Sequence, residues 1–307
     1  MVRQFRLINA EDEVLNLNSL DTFGHQPQGL GLKMSNSYIP YEGNFIPTEV
    51  EPMMNQIEVS LVVGAKSETE PYEAYYELME FFESAPYTLE YETPAGIFYR
   101  IVQLSEVTKS DMNAYSIFEE HLVLDCITPW FEEYEYTPDD IIVIPDGSGK
   151  IYELMDDPIP DASTGYTFSY IYGQHASGAG TVVNVKNGVL KWGMSAGAHC
   201  KVEMQVMSGT MYNPRWSLYN NSQIVQSDGF SLSVAVGYTL EVSNYPEEQR
   251  AVLVSSHGVE TDVSQQQDLT RTNFIRIPQG EYPIVFTYDG DAEVSIRVTV
   301  REEKLVI

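Results

Sequence analysis

Residues Phe274 to Val300, FIRIPQGEYPIVFTYDGDAEVSIRVTV, decide how the rest of the chain is read. Ile275 and Ile277 flank Arg276, the alternation of a half-buried strand. Pro278-Gln279-Gly280 reads as a turn, because proline pre-sets φ at the second position and glycine suits the fourth. Ile284, Phe286 and Tyr288 alternate again. Asp289-Gly290 then stands where a two-residue hairpin needs positive φ at both central positions. Ala292, Val294, Ile296, Val298 and Val300 complete a long alternating strand. The stretch predicts an antiparallel meander with no catalytic-looking group projecting from it, so the chain reads first as a β scaffold.

Working outward, the second half continues as strand, turn, strand from Tyr166 onward. Asn187-Gly188 marks a hairpin, and strands follow at Cys200 to Val206, Phe230 to Val236 and Thr239 to Val242. With no periodic helix, this half reads as a β-sandwich or jelly roll. The first half opens with strands at Phe5 to Ile8 and Val14 to Leu17. Residues 21–55, rich in Gly, Pro, Asn and Ser, are expected to form long loops, one of them able to extend to a neighbour. Ile57, Val59 and Leu61 mark a strand ending at Gly64. One helix is predicted over residues 70–84, where Tyr75, Leu78, Met79 and Phe82 make one apolar stripe. Ser67-Glu68-Thr69-Glu70 fits a capping box and Pro86 stops continuation. The stripe is read as core packing. Three strands follow at Tyr87 to Glu92, Ile97 to Val107 and Tyr115 to Cys126. The acidic, proline-bearing stretch near Thr137 to Lys150 suggests a junction. The division is therefore a first domain over 1–135, a linker over 136–150 and a second sandwich over 151–307.

A chain of 307 residues with 43% apolar content can bury two cores. No run of eighteen apolar residues is present, so no membrane span is expected, and the acidic start does not read as a signal peptide. Cys126 and Cys200, in different presumed domains, are expected to be free thiols. The formal net charge is −28, and it is uneven. Residues 1–150 hold 7 Lys and Arg against 27 Asp and Glu, a net of −20; residues 151–307 hold 10 against 18, a net of −8. Solubility is the plain reading of such charge. The sharper one is a surface that repels nucleic-acid phosphates.

No catalytic set emerges. Gly193-Met194-Ser195-Ala196-Gly197 matches a nucleophile elbow, but that motif needs a helix after it, and His199 to Val206 reads as a strand. His25, His121, His175, His199 and His257 are scattered without ligand spacing. Gly147-Ser148-Gly149-Lys150 lacks the first glycine and last hydroxyl of a phosphate loop. Asp156-Asp157 and Asp289-Gly290-Asp291 read as turns rather than calcium loops. No cofactor and no metal are expected. Trp192, Tyr212, Trp216 and Tyr219 are the candidate contact residues, since an exposed aromatic platform could stack on sugar rings; core packing is the alternative, and the preferred one.

Several phrases resemble the distal tail proteins of long-tailed phages: IPQGEYPIVF with its closing strand, Met211-Tyr212-Asn213-Pro214-Arg215-Trp216-Ser217-Leu218, the opening FRLINAEDEVLNLNS, and CITPWFEEYEY at Cys126 to Tyr136. The resemblance implies a mainly β chain, its first domain tail-tube-like with one helix, its second jelly-roll or galectin-like. It implies a non-enzymatic virion component, made in the host bacterial cytoplasm. The expected partners are its own copies in a homohexameric ring, the tail-tube protein, the tail-associated tip protein and a receptor-binding protein. DNA would pass through an acidic channel without specific binding. The rival reading is a carbohydrate-binding β-sandwich that recognises host cell-wall polysaccharide.

Overall fold

The computed structural model describes residues 3–19, 22–53, 55–64, 70–111, 113, 117–138, 180–188 and 197–304. The chain divides into two compact units. The first comprises Met1–Glu132 with Glu303–Ile307, the second Glu133–Glu302.

The first unit contains β1 (Gln4–Ile8), β2 (Val14–Asn16), β3 (Thr22–Gln28), β4 (Met34–Tyr41), β5 (Asn44–Pro52), β6 (Gln56–Gly64), α1 (Glu70–Phe81), β7 (Tyr87–Thr93), β8 (Gly96–Val107) and β9 (Ile117–Cys126). Strand β10 (Trp130–Tyr136) carries the chain across the unit boundary. Its main sheet is antiparallel in the order β3–β6–β9–β8–β7–β1–β2. Strand β8 is shared along its length. Residues from Gly96 to Val102 pair with β7, those from Val102 onward with β9, with an irregularity between Leu104 and Glu106. A bulge there increases local twist. Helix α1 buries the predicted stripe: Leu78 is 1% exposed, Tyr75 and Phe82 are buried, Met79 is partly so, and Phe81 joins them. The Tyr87 hydroxyl donates to the Phe82 carbonyl at 2.6 Å and so ties the helix end to β7. The capping-box residues Ser67 to Thr69 lie outside the described residues.

Residues 21–55 depart from expectation. Instead of long loops they form β3 and a two-stranded hairpin, β4–β5. The signal was present but disguised. Tyr38, Ile39, Tyr41, Phe45, Ile46 and Val50 are strand formers. Glu42 and Gly43 have φ of 48° and 80°, positive at both centres as a two-residue type I′ turn requires. Glu-Gly replaces the familiar Asn-Gly or Asp-Gly, and Pro40 and Pro47 argued against strand.

The second unit contains β11 (Thr181–Asn187), β12 (His199–Ser208), β13 (Thr210–Asn220), β14 (Gln223–Gly229), β15 (Ser233–Ala235), β16 (Thr239–Tyr245), β17 (Glu248–Val254), β18 (Glu260–Asp262), β19 (Gly280–Gly290) and β20 (Glu293–Lys304). One sheet runs β18–β17–β16–β12–β20 and the other β11–β19–β13–β14, with β15 on β13. Val202, Met204, Leu240, Ile296 and Val298 of the first share one core with Trp216, Leu218, Ile284 and Phe286 of the second. This is a β-sandwich.

The closing meander is corrected. Strands β19 and β20 alternate as read, but they pair with β11 and β13 in one case and with β12 in the other. The chain changes sheets at the Asp289-Gly290 turn instead of folding back on itself. Gly290 has φ of 106°, and a Cβ there would stand 2.4 Å from the Thr210 carbonyl oxygen. Alternation fixes which side chains face the core, not which sheet holds the strand. Ile275 and Ile277 are buried as read, yet Ile277 bridges only Ala198 and the segment is not a ladder strand. The strand expected at Phe230 to Val236 shortens to Ser233–Ala235.

Candidate functional site

The feature that core packing leaves unexplained is the β4–β5 hairpin. It forms its own two-stranded sheet. Tyr38 is 54% exposed, Ile39 57%, Tyr41 59%, Phe45 73%, Ile46 48% and Val50 57%. Single exposed apolar residues are ordinary, but a contiguous set on one projecting element marks an interaction surface. A lone hairpin is at best marginally stable in water.

The root of this arm is held firmly. Asn55 Nδ2 donates to the carbonyls of Gly29 at 2.6 Å and Gly31 at 2.9 Å. Trp130 Nε1 donates to the carbonyl between them, that of Leu30, at 3.1 Å. Gly29 has φ of 78° and a Cβ there would stand 1.8 Å from the Gln56 carbonyl oxygen, so the close approach needs glycine. Trp130 is fully buried, with the Arg100 guanidinium 5.5 Å from its ring centre. Arg100 donates through Nε to the Thr128 carbonyl at 2.7 Å, and burial pushes its pKa down. The arm thus springs from a rigid base. Sequence reading saw neither clamp, because Asn55 and Trp130 lie 75 positions apart in the chain.

Acids are spread over the rest of the first unit. Glu73, Glu77, Glu80, Glu106 and Glu119 are exposed. Some are neutralised: Arg6 bridges Glu90 at 3.0 Å and Glu92 at 3.3 Å, and Lys304 bridges Glu132. Glu120, 1% exposed, accepts from Thr108 Oγ1 at 2.8 Å and from the Ser110 amide at 2.6 Å. It fixes the segment after β8.

The aromatic candidates do not form a platform among the described residues. Trp216 is 1% exposed and stacks on Phe230 inside the sandwich. Tyr212 is 46% exposed and its ring covers Gly290, with Cδ2 3.0 Å from where a Cβ would stand. Tyr219 is half-buried. Trp192 lies outside the described residues, as do Ser195 of the elbow-like motif, the Gly147 to Lys150 stretch and Asp156-Asp157. The elbow-like motif is followed by strand β12, not a helix. Among the described residues no group of three His, Cys, Asp or Glu could hold a metal, and no helix is long and apolar enough to cross a membrane. Cys126 and Cys200 are free and buried, and burial pushes the Cys200 thiol up to about 12.

Among the described residues, the second unit holds a buried polar layer. Asp228, 1% exposed, accepts from the Gly229 amide at 2.7 Å, Gln267 Nε2 at 2.9 Å and the Phe274 amide at 2.9 Å. Asn244 Oδ1 accepts from the Cys200 amide at 2.7 Å, and its amide donates to the Ile275 carbonyl. These groups seat the strap of residues 267–277, in which Asn273 and Phe274 have φ of 57° and 45°.

Comparison with known proteins agrees with this architecture. Residues 4–127 match the family model described as distal tail protein, N-terminal domain. No curated protein sequence matches. Among solved structures, the chain resembles one from the phage P2 baseplate in its activated conformation with Ca, at 18% identity and a TM-score of 0.70, covering 100% of both chains. The same baseplate with Sr gives 17% and 0.70. The SPP1 Dit protein, described as a hub of the adsorption apparatus in phages infecting Gram-positive bacteria, gives 13% and 0.54, covering 98% of this chain and 99% of that one. At such identities the likeness speaks for the fold.

Proposed function

We propose that this chain, whose residues 4–127 match the model of the distal tail protein N-terminal domain, is a ring-forming structural subunit of a phage tail tip. The ring is a homohexamer that joins the end of the tail tube to the tip protein and to receptor-binding parts. The observation that carries this reading is the β4–β5 arm, an apolar hairpin rigidly rooted in the family-matched domain and left exposed by the described residues of its own chain. A closed ring supplies a cover for every such arm without leaving one free, as cyclic symmetry permits. The chain works by shape and charge rather than by chemistry.

The acidic excess of the N-terminal half supports a channel that DNA traverses without lasting contacts. Phosphates are repelled by a wall of carboxylates, most strongly within a Debye length of about 8 Å at physiological salt. The same charge opposes assembly, because six acidic copies repel one another.

Light scattering on the purified protein tests the ring. The mass should move from monomer toward hexamer as salt rises from about 0.01 M to about 0.15 M, where the Debye length falls from about 30 Å to about 8 Å. A monomer at every salt and concentration, with or without tail partners, would count against the ring. Duplex DNA should not bind at moderate salt. Replacing exposed lumen acids with lysine should create binding that weakens steeply as salt is added.

A further inference from the structure

We propose that the β4–β5 arm meets a second copy of this chain through one face only, by side-chain packing, and that its two prolines disfavour the alternative of strand addition. The inference rests on the ring reading above and specifies how the contact is made.

Residues directly opposite in an antiparallel pair share a face. The register sets Asn36 against Val50, Tyr38 against Pro47 and Pro40 against Phe45, with Met34 continuing the row toward the root. That face carries no charged residue. The other sets Ser35 against Glu51, Ser37 against Glu49, Ile39 against Ile46 and Tyr41 against Asn44. Its root half bears both acids. A copy of a chain with a formal charge of −28 is repelled by carboxylates, so the uncharged face is the one that a second copy can cover without a like-charge penalty.

Each outer edge is weakened for pairing. Tyr41 and Asn44 flank the two-residue turn and exchange ladder bonds, so amides alternate inward and outward from there. Pro40 and Tyr38 on one strand, and Phe45 and Pro47 on the other, therefore direct their backbone groups to the outer edges. Proline has no N–H, so each outer edge loses a donor that an incoming strand would need. The arm is built to be covered rather than extended.

The size of the face is consistent with this occupant. Covering Tyr38, Phe45, Val50 and the two prolines removes on the order of 400 Å² from water, about half of the roughly 800 Å² that each partner gives to a standard interface. The body of each copy supplies the rest.

Scattering-detected assembly of single variants of the full chain tests the inference. The altered side chains are exposed, and thermal melts will confirm that the variants fold. Phe45→Asp and Tyr38→Asp should raise the concentration for half-assembly by about tenfold or more, as loss of an interface anchor does. Ser35→Asp, on the other face, should leave it unchanged. Pro40→Ala and Pro47→Ala should leave the ring intact and add open-ended aggregates. A ring that tolerates Phe45→Asp, a Ser35→Asp defect as large as that of Phe45→Asp, or tighter ring assembly from the proline variants overturns the face assignment alone. A wild-type chain that is monomeric throughout removes the occupant and overturns the ring reading as well.

Discussion

Asp228 shows how one residue can hold an irregular segment. Its carboxylate faces three donors, and the amides of Gly229 and Phe274 are fixed by backbone. Burial raises its pKa above the usual carboxylate value, while those hydrogen bonds and Arg271 oppose the rise. A folded-state pKa above the unfolded one means that the native state binds the proton more tightly. The stabilisation is therefore full below pH ~3.9, the ordinary aspartate value, and is lost as pH climbs through the raised native one. Asp228→Asn should flatten the stability curve in that acid window. At neutral pH it should cost about 1–3 kcal/mol, because an amide group would turn donors toward a donor. Urea melts across pH 3 to 7 read both effects, and an unchanged slope would show that Asp228 does not titrate in that range. The neighbouring aromatic was ambiguous in sequence. Trp216 could have stacked on a sugar or filled the core, and at 1% exposure it fills the core.

At the scale of elements, α1 and the arm make opposite use of apolar residues. The stripe of α1 has a period near 3.6 and lands on its own sheet, so Leu78 is fully covered. Leu78→Ala should cost about 2–5 kcal/mol, the range for a buried leucine truncated to a cavity, and a thermal melt will show it. An unchanged melting temperature would mean that the helix packs elsewhere. The arm has strand formers on both faces, and among the described residues they stay exposed. Periodicity could identify the helix because a 12-residue amphipathic segment has few alternatives. It missed the arm because two prolines and a Glu-Gly turn gave the composition of a loop, and only the register shows that both prolines fall on outer edges.

For the whole molecule, two cores imply two folding units. The second is closed by residues from Glu133 to Glu302, including the ion pairs of Arg301 with Glu133 at 3.0 Å and with Glu247. A fragment spanning residues 133–302 should therefore fold alone and stay monomeric, as domains with their own cores do. Dispersed amide proton signals would confirm it, and a collapsed spectrum would show that the sandwich needs the first domain. This division falls inside β10, just before the linker expected over residues 136–150, of which residues 139–150 lie outside the described residues. A strand that serves two units has no compositional mark, whereas an acidic proline-bearing stretch looks like a linker.

What the sequence determined by itself was local and periodic. Alternation marked which residues of β12, β19 and β20 face a core, the 3.6 spacing marked α1, and the charge count showed a net of −28. The opening phrase FRLINAEDEVLNLNS lies within the residues 4–127 that match the distal tail protein N-terminal domain. What only the tertiary structure decided was pairing. The Asp289-Gly290 turn looked like the turn of a hairpin, yet it passes the chain from one sheet to the other, because both partners of a strand lie far away in sequence and alternation is blind to them. The clamp of the arm's root by Asn55 and Trp130 is likewise a product of contacts between residues apart in the chain.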